Sequence, residues 1–304
     1  MSQPVPWSSH RLLLRLAVIE GWLVNKTPLR IGTGREPPLG SAVDLAVMRI
    51  HLGGRSVPYI PGSSLKGVFR NTAIQLARAK GLNVCSGLSG DTCMDWESPK
   101  YGTSLLKFIQ ERQREGDEPG AFRVFHEDAC LLCKMFGAPS FTGHVEFSDA
   151  YPLDEKGQLL EVPLGVRTGI AIDRRTGAVY GRALYQVEFV EPGARFKLTV
   201  RSTNLPNYAL GLLAKALRML HEGWVRIGGF KTRGFGEVRV ENLSFAVTGS
   251  TVSGTKLLAV DERDVEVDLA GLAQRDAGWL KASGDNAWRA LSKLEEVWDR
   301  AALA

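Results

Sequence analysis

The residues best suited to hold a metal ion are four cysteines that fall in one stretch of the chain, Cys85, Cys93, Cys130 and Cys133. Only two residues separate Cys130 from Cys133, a spacing suited to one tetrahedral zinc ion, and His126 precedes Cys130 by four positions. Four cysteines could therefore bind the ion, or His126 could replace one of them. We predict a structural zinc that ties an insertion at about 82–140 to the rest of the chain. Buried free thiols are the alternative.

Two segments have the composition of an RNA-binding surface. IPGSSLKG at 60–67 combines a sharp entry, two hydroxyls, a lysine and the N–H groups of a helix start, which attract phosphate. GGFKTRGFG at 228–236 interleaves glycines with cations and phenylalanines that could stack on bases. A capped helix without ligand and a glycine-rich hairpin folded only for packing are the alternatives. The residues predicted to contact RNA are Ser63, Ser64, Lys66, Arg70, Gly228, Gly229, Lys231, Arg233, Gly234 and Gly236.

A third basic segment is predicted to be a hairpin at about 165–188, in which RRTG forms the turn. Its arginines Arg167, Arg174 and Arg175 give it a charge density that favours contact with RNA phosphates. A solvated basic hairpin without a ligand is the alternative.

The elements that must position these residues follow in the order strand, helix, inserted material, strands, helix, strand. The first strand is predicted at 11–24 and the first helix after Ser63 or Ser64, with Gly81 as its stop. The second helix is predicted at 206–222. This order predicts an α+β fold with a ferredoxin-like (RRM-like) βαββαβ core.

The predicted core with its insertion spans 1–250, and 251–304 form a C-terminal extension that ends in a helix. Trp288 and Trp298 lie on one apolar stripe of that helix. The stripe could fold back on the core or dock on another protein, and the sequence weakly favours docking.

Composition and charge narrow the function classes. The chain has 304 residues, of which 44% are hydrophobic and 23% charged, and no apolar run approaches the length of a membrane span. The start of the chain lacks the pattern of a secretory signal, so we expect a cytoplasmic protein without a membrane partner, in which disulfides are rare. Residues 1–250 carry 31 Lys and Arg against 23 Asp and Glu, which suits a polyanionic partner.

Together, PGSSLKG and the pattern GG-x-K-x-RG-x-G resemble the signature of the RAMP superfamily, the repeat-associated RNA-binding proteins of CRISPR systems. SAVDLAVMR at 41–49 resembles the loop that bears the catalytic aspartate in backbone subunits of type III effector complexes. CLLCKMFG followed by GHVEFSDAYP resembles their central region, and GVRTGIAIDRRTGAV resembles their thumb hairpin. The five segments occur in family order between about residues 10 and 245. We call 41–49 the aspartate loop, 165–188 the thumb hairpin and 228–236 the glycine-rich loop.

The resemblance implies a subunit that binds guide crRNA and stacks along it with copies of itself or other effector subunits. The complementary target RNA would pair with the guide and be kinked by the thumb hairpin, so that a 2′-hydroxyl swings in line with the scissile phosphate. Asp44 aligns with the catalytic aspartate and would cut there with Mg²⁺ or Mn²⁺, with Arg49 and His51 as nearby candidates for charge stabilisation.

Three other functions stay open at this point. The subunit could bind RNA without cutting, because cutting depends on geometry between two subunits. It could process guide RNA, although such enzymes commonly rely on a histidine, and the five histidines are not grouped with a tyrosine or lysine. A zinc-stabilised protein-interaction module would leave the glycine-rich loop and thumb hairpin unexplained.

Overall fold

The computed structural model describes residues 6–32, 34 and 43–303, with the backbone alone for residues 182 and 183. The described part is an α+β fold, as predicted, and none of its helices is long and apolar enough to cross a membrane. Its α-helices are α1 (Gly62–Ala79), α2 (Leu105–Arg114), α3 (Glu118–Asp128), α4 (Leu131–Phe136), α5 (Asn207–His221) and α6 (Asp285–Arg300).

The strands fall into three groups along the chain. Those before α2 are β1 (Leu16–Asn25), β2 (Arg49–Leu52), β3 (Arg55–Pro58), β4 (Glu97–Ser98) and β5 (Thr103–Ser104). Those of the middle and of the end of the core are β6 (Val145–Phe147), β7 (Leu164–Ile172), β8 (Val179–Val190), β9 (Arg195–Thr203) and β10 (Val238–Thr248). The last group is β11 (Val252–Ser253), β12 (Lys256–Leu257), β13 (Val267–Asp268), β14 (Gln274–Asp276) and β15 (Trp279–Ser283).

One six-stranded sheet organises the described molecule, in the order β14-β15-β10-β1-β9-β6, and its neighbouring strands pair antiparallel. The central strand β1 is rich in β-branched and apolar residues, and Ala17, Ile19 and Leu23 are buried in the main core. The same core takes up the apolar faces of α1, α5 and α6. The sheet therefore has the helices against it, and the elements occur in the predicted order.

The start of α1 differs from the prediction in one respect. The residue before the helix is Pro61 and not a serine, and neither Ser63 nor Ser64 caps it. The backbone N–H of Gly62 instead donates to Asp149 Oδ1 over 2.7 Å, which satisfies one free donor of the first turn. A side chain at Gly62 would collide with the carbonyl oxygen of Phe147, so glycine permits this close approach. Ser63 and Ser64 consequently lie inside the first turn.

Two excursions leave the sheet. The insertion carries α2, α3 and α4 and has a small core of its own, separate from the main one. The thumb hairpin consists of β7 and β8, which pair with each other in a two-stranded sheet of their own. Its turn lies at the predicted RRTG, where the N–H of Gly177 donates to the carbonyl of Asp173 over 2.8 Å.

The C-terminal extension folds back on the core. Strand β15 pairs with β10, and α6 packs beside α5, where Gly211 lets the backbone of Leu294 approach closely. Trp298 is only 2% exposed, and Arg218 forms a 2.8 Å ion pair with Glu295 across the two helices. The expectation that the tryptophan stripe docks on another protein is therefore wrong for Trp298. The apolar stripe is used inside the chain because the main sheet and α5 offer it a complementary surface.

Candidate nucleic-acid interface and cysteine cluster

The aspartate loop runs beside strand β8 of the thumb hairpin. The N–H of Leu45 donates to the carbonyl of Gln186 over 3.0 Å, and the N–H of Glu188 donates to the carbonyl of Leu45 over 3.0 Å. The carboxylate of Asp44 is exposed and accepts the N–H of Gln186 at Oδ2 over 2.6 Å. Residues 41 and 42 of the loop lie outside the described residues. The loop thus fixes an exposed carboxylate at the base of the thumb hairpin.

A buried glutamate of β8, Glu188, also holds the aspartate loop. Glu188 is 8% exposed, and its Oε2 accepts the N–H of Val47 over 2.9 Å. Its Oε1 accepts Arg49 Nη2 over 2.5 Å. Arg49, predicted as a charge-stabilising residue, is therefore neutralised by an ion pair. Sequence reasoning missed Glu188, although a single acid between Val187 and Phe189 in an apolar strand was a usable signal.

Arg30 joins the aspartate loop to the glycine-rich loop. Its carbonyl accepts the N–H of Gly229 over 2.9 Å, and its Nε donates to the carbonyl of Leu45 over 3.4 Å. Its guanidinium also lies 5.6 Å from the ring centroid of Phe230. Burial lowers the pKa of Arg30. The aspartate loop and the glycine-rich loop are thereby linked through a residue that sequence reasoning did not single out.

The glycines of the glycine-rich loop have unequal roles. Gly228 has φ +82° and Gly236 has φ +83°, and a side chain at either would collide with a backbone carbonyl. Gly234 has φ +89° but open space around it. Packing thus explains Gly228 and Gly236 without a ligand. Phe235, expected to stack on bases, is 3% exposed because it packs edge-on against Phe189 at 5.6 Å.

A cleft of about 430 Å³ separates α1 from the glycine-rich loop and the residues just before it. Ser64 lines it from the helix, and Gly228 and Lys231 line it from the loop. The two segments that the sequence predicts to bind RNA therefore face each other. Trp224, at 78% exposed, also lines the cleft and was not predicted. Its position between a helix stop and a basic loop was the available signal.

Other predicted residues of the α1 segment lie elsewhere. Ser63 is exposed, and Lys66 is half-buried, with its pKa lowered by burial and then by the charge of Arg70. Arg70 is directed towards the insertion, where it donates to the carbonyl of Gly137 over 3.1 Å and to Cys133 Sγ over 3.6 Å. Arg70 is thus occupied by protein groups, in contrast to its predicted contact with RNA.

The base of the thumb hairpin packs on the glycine-rich loop. The guanidinium of Arg167 lies 5.0 Å from the ring centroid of Phe235. Arg233 donates to the hydroxyl of Tyr185 over 2.7 Å and lies 5.2 Å from the ring centroid of Phe230. A second cleft, of about 380 Å³, lies between the thumb hairpin and the glycine-rich loop. Both predicted arginines are therefore oriented by aromatic rings.

The rest of the thumb hairpin is open to solvent. Arg174 and Arg175 are exposed at the turn, where the N–H of Arg175 donates to Asp173 Oδ1 over 2.8 Å. Ile170 and Ile172 are 48% and 57% exposed. Exposed apolar side chains on a two-stranded ribbon are typical of a surface that binds a partner.

The four cysteines of the insertion gather as predicted, and their sulfurs all lie within 4.8 Å of one another. Cys85 Sγ lies 3.3 Å from Cys133 Sγ and 3.8 Å from Cys130 Sγ, and Cys93 Sγ lies 3.4 Å from Cys133 Sγ. Sulfurs around one tetrahedral zinc would be about 3.8 Å apart. Four cysteine sulfurs at these separations fit that ion.

Two of these thiols are easily ionised. Hydrogen bonds with the other thiols, first with Cys130, lower the pKa of Cys85, and the hydrogen bond with Cys133 lowers the pKa of Cys130 to about 6. The same hydrogen bonds, first with Cys130, raise the pKa of Cys93 and of Cys133, so the four thiols share their protons unequally. The thiolate is the form that would bind a metal ion.

The fifth candidate ligand, His126, is not among the side chains that converge. Its Nδ1 lies 2.7 Å from the hydroxyl of Ser8. Burial, and then the charge of Lys134, lowers the pKa of His126 to about 4. Of the two ligand sets that the sequence left open, the geometry favours four cysteines.

Comparison with known proteins identifies a family that this chain matches. The family model described as the RAMP superfamily matches residues 22–239, which include the aspartate loop, the start of α1, the thumb hairpin and the glycine-rich loop. The chain is 24% identical over 259 residues to the CRISPR system Cms endoribonuclease Csm3 of Mycobacterium tuberculosis. That alignment covers 79% of this chain and 92% of the relative.

Proposed function

The chain belongs to the RAMP superfamily, and on this premise we propose that it is a crRNA-binding backbone subunit of a type III CRISPR effector complex that cleaves paired target RNA. The relative from Mycobacterium tuberculosis carries the name of a CRISPR endoribonuclease, which supports the class of reaction. The observation that carries the proposal is the exposed carboxylate of Asp44, fixed by β8 at the base of the thumb hairpin.

The proposed core is ferredoxin-like. Strands β1, β6, β9 and β10 would be its four strands, with α1 after the first and α5 after the third. Their order in the sheet, β10-β1-β9-β6 with antiparallel neighbours, supports this assignment. The edge strands β14 and β15 are then additions from the C-terminal extension.

The guide would lie on the surface where α1 and the glycine-rich loop face each other. Ser64 and Lys231 offer a hydroxyl and a cation to its phosphates there. The exposed Arg174 and Arg175 would hold the duplex of guide and target against the thumb hairpin. The partners of the chain would be guide crRNA, complementary target RNA and other effector subunits, including copies of itself.

Asp44 would act on the target at the kink made by the thumb hairpin. A bound Mg²⁺ or Mn²⁺ ion would supply charge neutralisation at the scissile phosphate, with Asp44 as its protein ligand. The hydrogen bond from the N–H of Gln186 fixes one carboxylate oxygen, and the ion pair of Glu188 with Arg49 holds the loop beside it. The chain thereby presents the carboxylate in one orientation before the RNA arrives.

The cysteine cluster would hold a structural zinc ion. All four positions of a tetrahedral ion would be filled by Cys85, Cys93, Cys130 and Cys133, so that no position is open for catalysis. The donor from Arg70 to Cys133 supports the site from α1 and links it to the core. The zinc would fix the insertion to the first helix of the core.

Cleavage of a labelled target RNA by the assembled guide complex tests the proposal, with Mg²⁺ or Mn²⁺ present. Asp44→Asn keeps an oxygen that can accept the N–H of Gln186 but removes the charge. We expect target binding to be retained and cleavage at regular intervals to fall at least about a hundredfold.

The other outcomes separate the alternatives. Equal cleavage by wild type and Asp44→Asn would contradict the assignment of Asp44. Binding without cleavage by either protein would identify a structural subunit. Cleavage of precursor guide RNA, with target RNA untouched, would identify a guide-processing ribonuclease.

A further inference from the structure

Trp224 is the most exposed tryptophan of the seven in the chain, at 78%. It follows the C-terminal end of α5, where Gly223 has φ +81° and its N–H donates to the carbonyl of Leu220 over 3.2 Å. The next residue, Val225, donates its N–H to the carbonyl of Met219 over 3.1 Å. The backbone on both sides of Trp224 is therefore held by the helix end, and the indole is presented on a rigid support.

A polar stripe of α1 forms the opposite wall of the cleft. Ser64, Gly67, Asn71 and Gln75 recur at helical spacing along it, and all four line the cleft. Asn71 and Gln75 are exposed, and their amides offer both donors and acceptors. Such groups can bind the edge of a nucleobase, which has donors and acceptors of its own.

Gly67 has no structural reason to be glycine. It lies inside α1 without a left-handed torsion, and a Cβ built there meets nothing within 4 Å. Glycine in a helix interior is less favourable than alanine, because glycine loses more backbone freedom when the helix forms. The missing side chain therefore leaves space in the cleft, and that space lies next to Ser64 on the same face.

The charge of the cleft is positive. Among the residues that the structure describes, those that line the cleft include Lys231 and Arg226 and no aspartate or glutamate. Arg226 is oriented by Glu237 at 3.5 Å and donates to the carbonyl of Lys231 over 3.1 Å. Lys231 is exposed beside it. A stacking ring, two amides and an exposed cation around about 430 Å³ suit one unpaired nucleotide, within the range of roughly 300–1,000 Å³ for small-molecule sites.

We propose that this cleft binds a single unpaired nucleotide of the RNA, with the indole of Trp224 stacked on its base. Asn71 and Gln75 bind the base edge, and Lys231 binds the phosphate. This inference rests on the proposed RNA-binding function. It adds a site that binds one unpaired base, in addition to the contacts with the phosphate backbone of the RNA.

Tryptophan fluorescence tests the stacking directly. The probe is an 8-nucleotide single-stranded RNA added to the full-length chain, with a 12-base-pair RNA duplex as the matched control. We expect the single strand to quench the fluorescence and the duplex to quench it much less, because paired bases are not free to stack. Trp224→Phe should lose most of the quench, and Trp224→Ala should bind the single strand about tenfold or more weakly.

Gly67→Leu provides a second test that a folding defect cannot imitate. Leucine favours the helix and fills the cleft, so we expect an unchanged or higher Tm together with at least tenfold weaker binding of the single strand. Ala79→Leu places the same side chain at the exposed end of α1 outside the cleft, and it should leave binding unchanged.

The outcomes distinguish this inference from the proposed function. If wild type binds the single strand while Trp224→Ala and Gly67→Leu bind it equally well, the cleft is not a nucleotide site, and the proposed function stands. If Trp224 fluorescence responds to protein concentration and not to RNA, the indole contacts a second protein and the inference is wrong. If wild type binds neither RNA, even in the assembled complex, the proposed function itself is wrong.

Discussion

The insertion and the thumb hairpin both leave the same sheet, but they treat their apolar and reactive side chains in opposite ways. The insertion buries its own small core and draws four sulfurs inward. The thumb hairpin leaves Ile170, Ile172 and Leu184 about half or more exposed and has Arg174 and Arg175 exposed at its tip. A segment that folds on its own core buries its apolar and reactive side chains in contacts with itself. A segment that leaves them exposed is organised for a partner.

Of the variants that test this difference between the insertion and the thumb hairpin, Cys133→Ser should have the largest effect. Cys133 is fully buried and its sulfur lies within 3.4 Å of two others, so its loss would remove one ligand of the proposed zinc ion and the centre of the cluster. We expect loss of bound zinc and a destabilisation of the insertion by more than about 4 kcal/mol. Metal content, Tm and limited proteolysis of 82–140 would measure it. The exposed neighbour Leu88, changed to Ser, is the control. Protease resistance without metal would show that the insertion is stabilised by packing alone.

An intermediate effect, on RNA binding alone, is expected from Arg174→Gln combined with Arg175→Gln. Both side chains are exposed, and their proposed role is to bind RNA. The free energy of unfolding of the variant should therefore stay within about 0.5 kcal/mol of the wild-type value. If both bind phosphates of the duplex of guide and target, the salt dependence of the affinity for that duplex should weaken by about 1.8 in log–log slope. Arg300→Gln, on the far exposed end of α6, controls for net charge. An unchanged slope would mean that the thumb tip is merely solvated, and the comparison would fail.

The smallest effect concerns the place where the insertion rejoins the sheet. Burial lowers the pKa of His144, whose ring stacks on His10 at 4.1 Å and whose Nδ1 lies 3.0 Å from the carbonyl of Thr203. Its folded pKa lies below its ordinary value near 6.5, so the unfolded state takes up a proton first as the pH falls. The contribution of His144 to the free energy of unfolding should be fully present above about pH 6.5. Below that pH it should decline, by at most about 1.4 kcal/mol per pH unit for this one proton.

His144→Gln should flatten this decline in urea unfolding between pH 5 and pH 8. His51→Gln, at an exposed position of β2, should leave the decline as it is in wild type. An equally steep decline in His144→Gln would assign the pH dependence to other groups, with His126 the first to examine because burial also lowers its pKa.

Local patterns in the sequence predicted what local physics determines. The order of strands and helices, the turn at RRTG and the stop of α1 near Gly81, which has φ +84°, follow from alternation and from residues with special torsions. The gathering of four cysteines followed from their confinement to one stretch. Each of these depends on neighbours in the chain, and so one sequence sufficed.

Residues whose roles depend on distant partners were missed or misassigned. Glu188 holds the aspartate loop through Val47 and Arg49, which are about 140 positions earlier, and no short window shows that pairing. Phe235 is an aromatic in a basic loop, like a stacking residue, but Phe189 of the thumb covers it. Arg70 was predicted to contact RNA, yet it donates a hydrogen bond to Cys133 of the insertion. Tertiary packing decided each case.

The position of β1 in the sheet determines when the molecule can assemble during its synthesis. Leu16 is made well before its neighbours across the sheet, which are Thr203 and Thr248. At about 5–20 residues per second, the ribosome needs on the order of ten to forty seconds to reach the nearer of them. During that interval the apolar central strand has no partner strand, whereas the insertion can already fold on its own core. Nascent chains should therefore depend on a chaperone until β9 emerges.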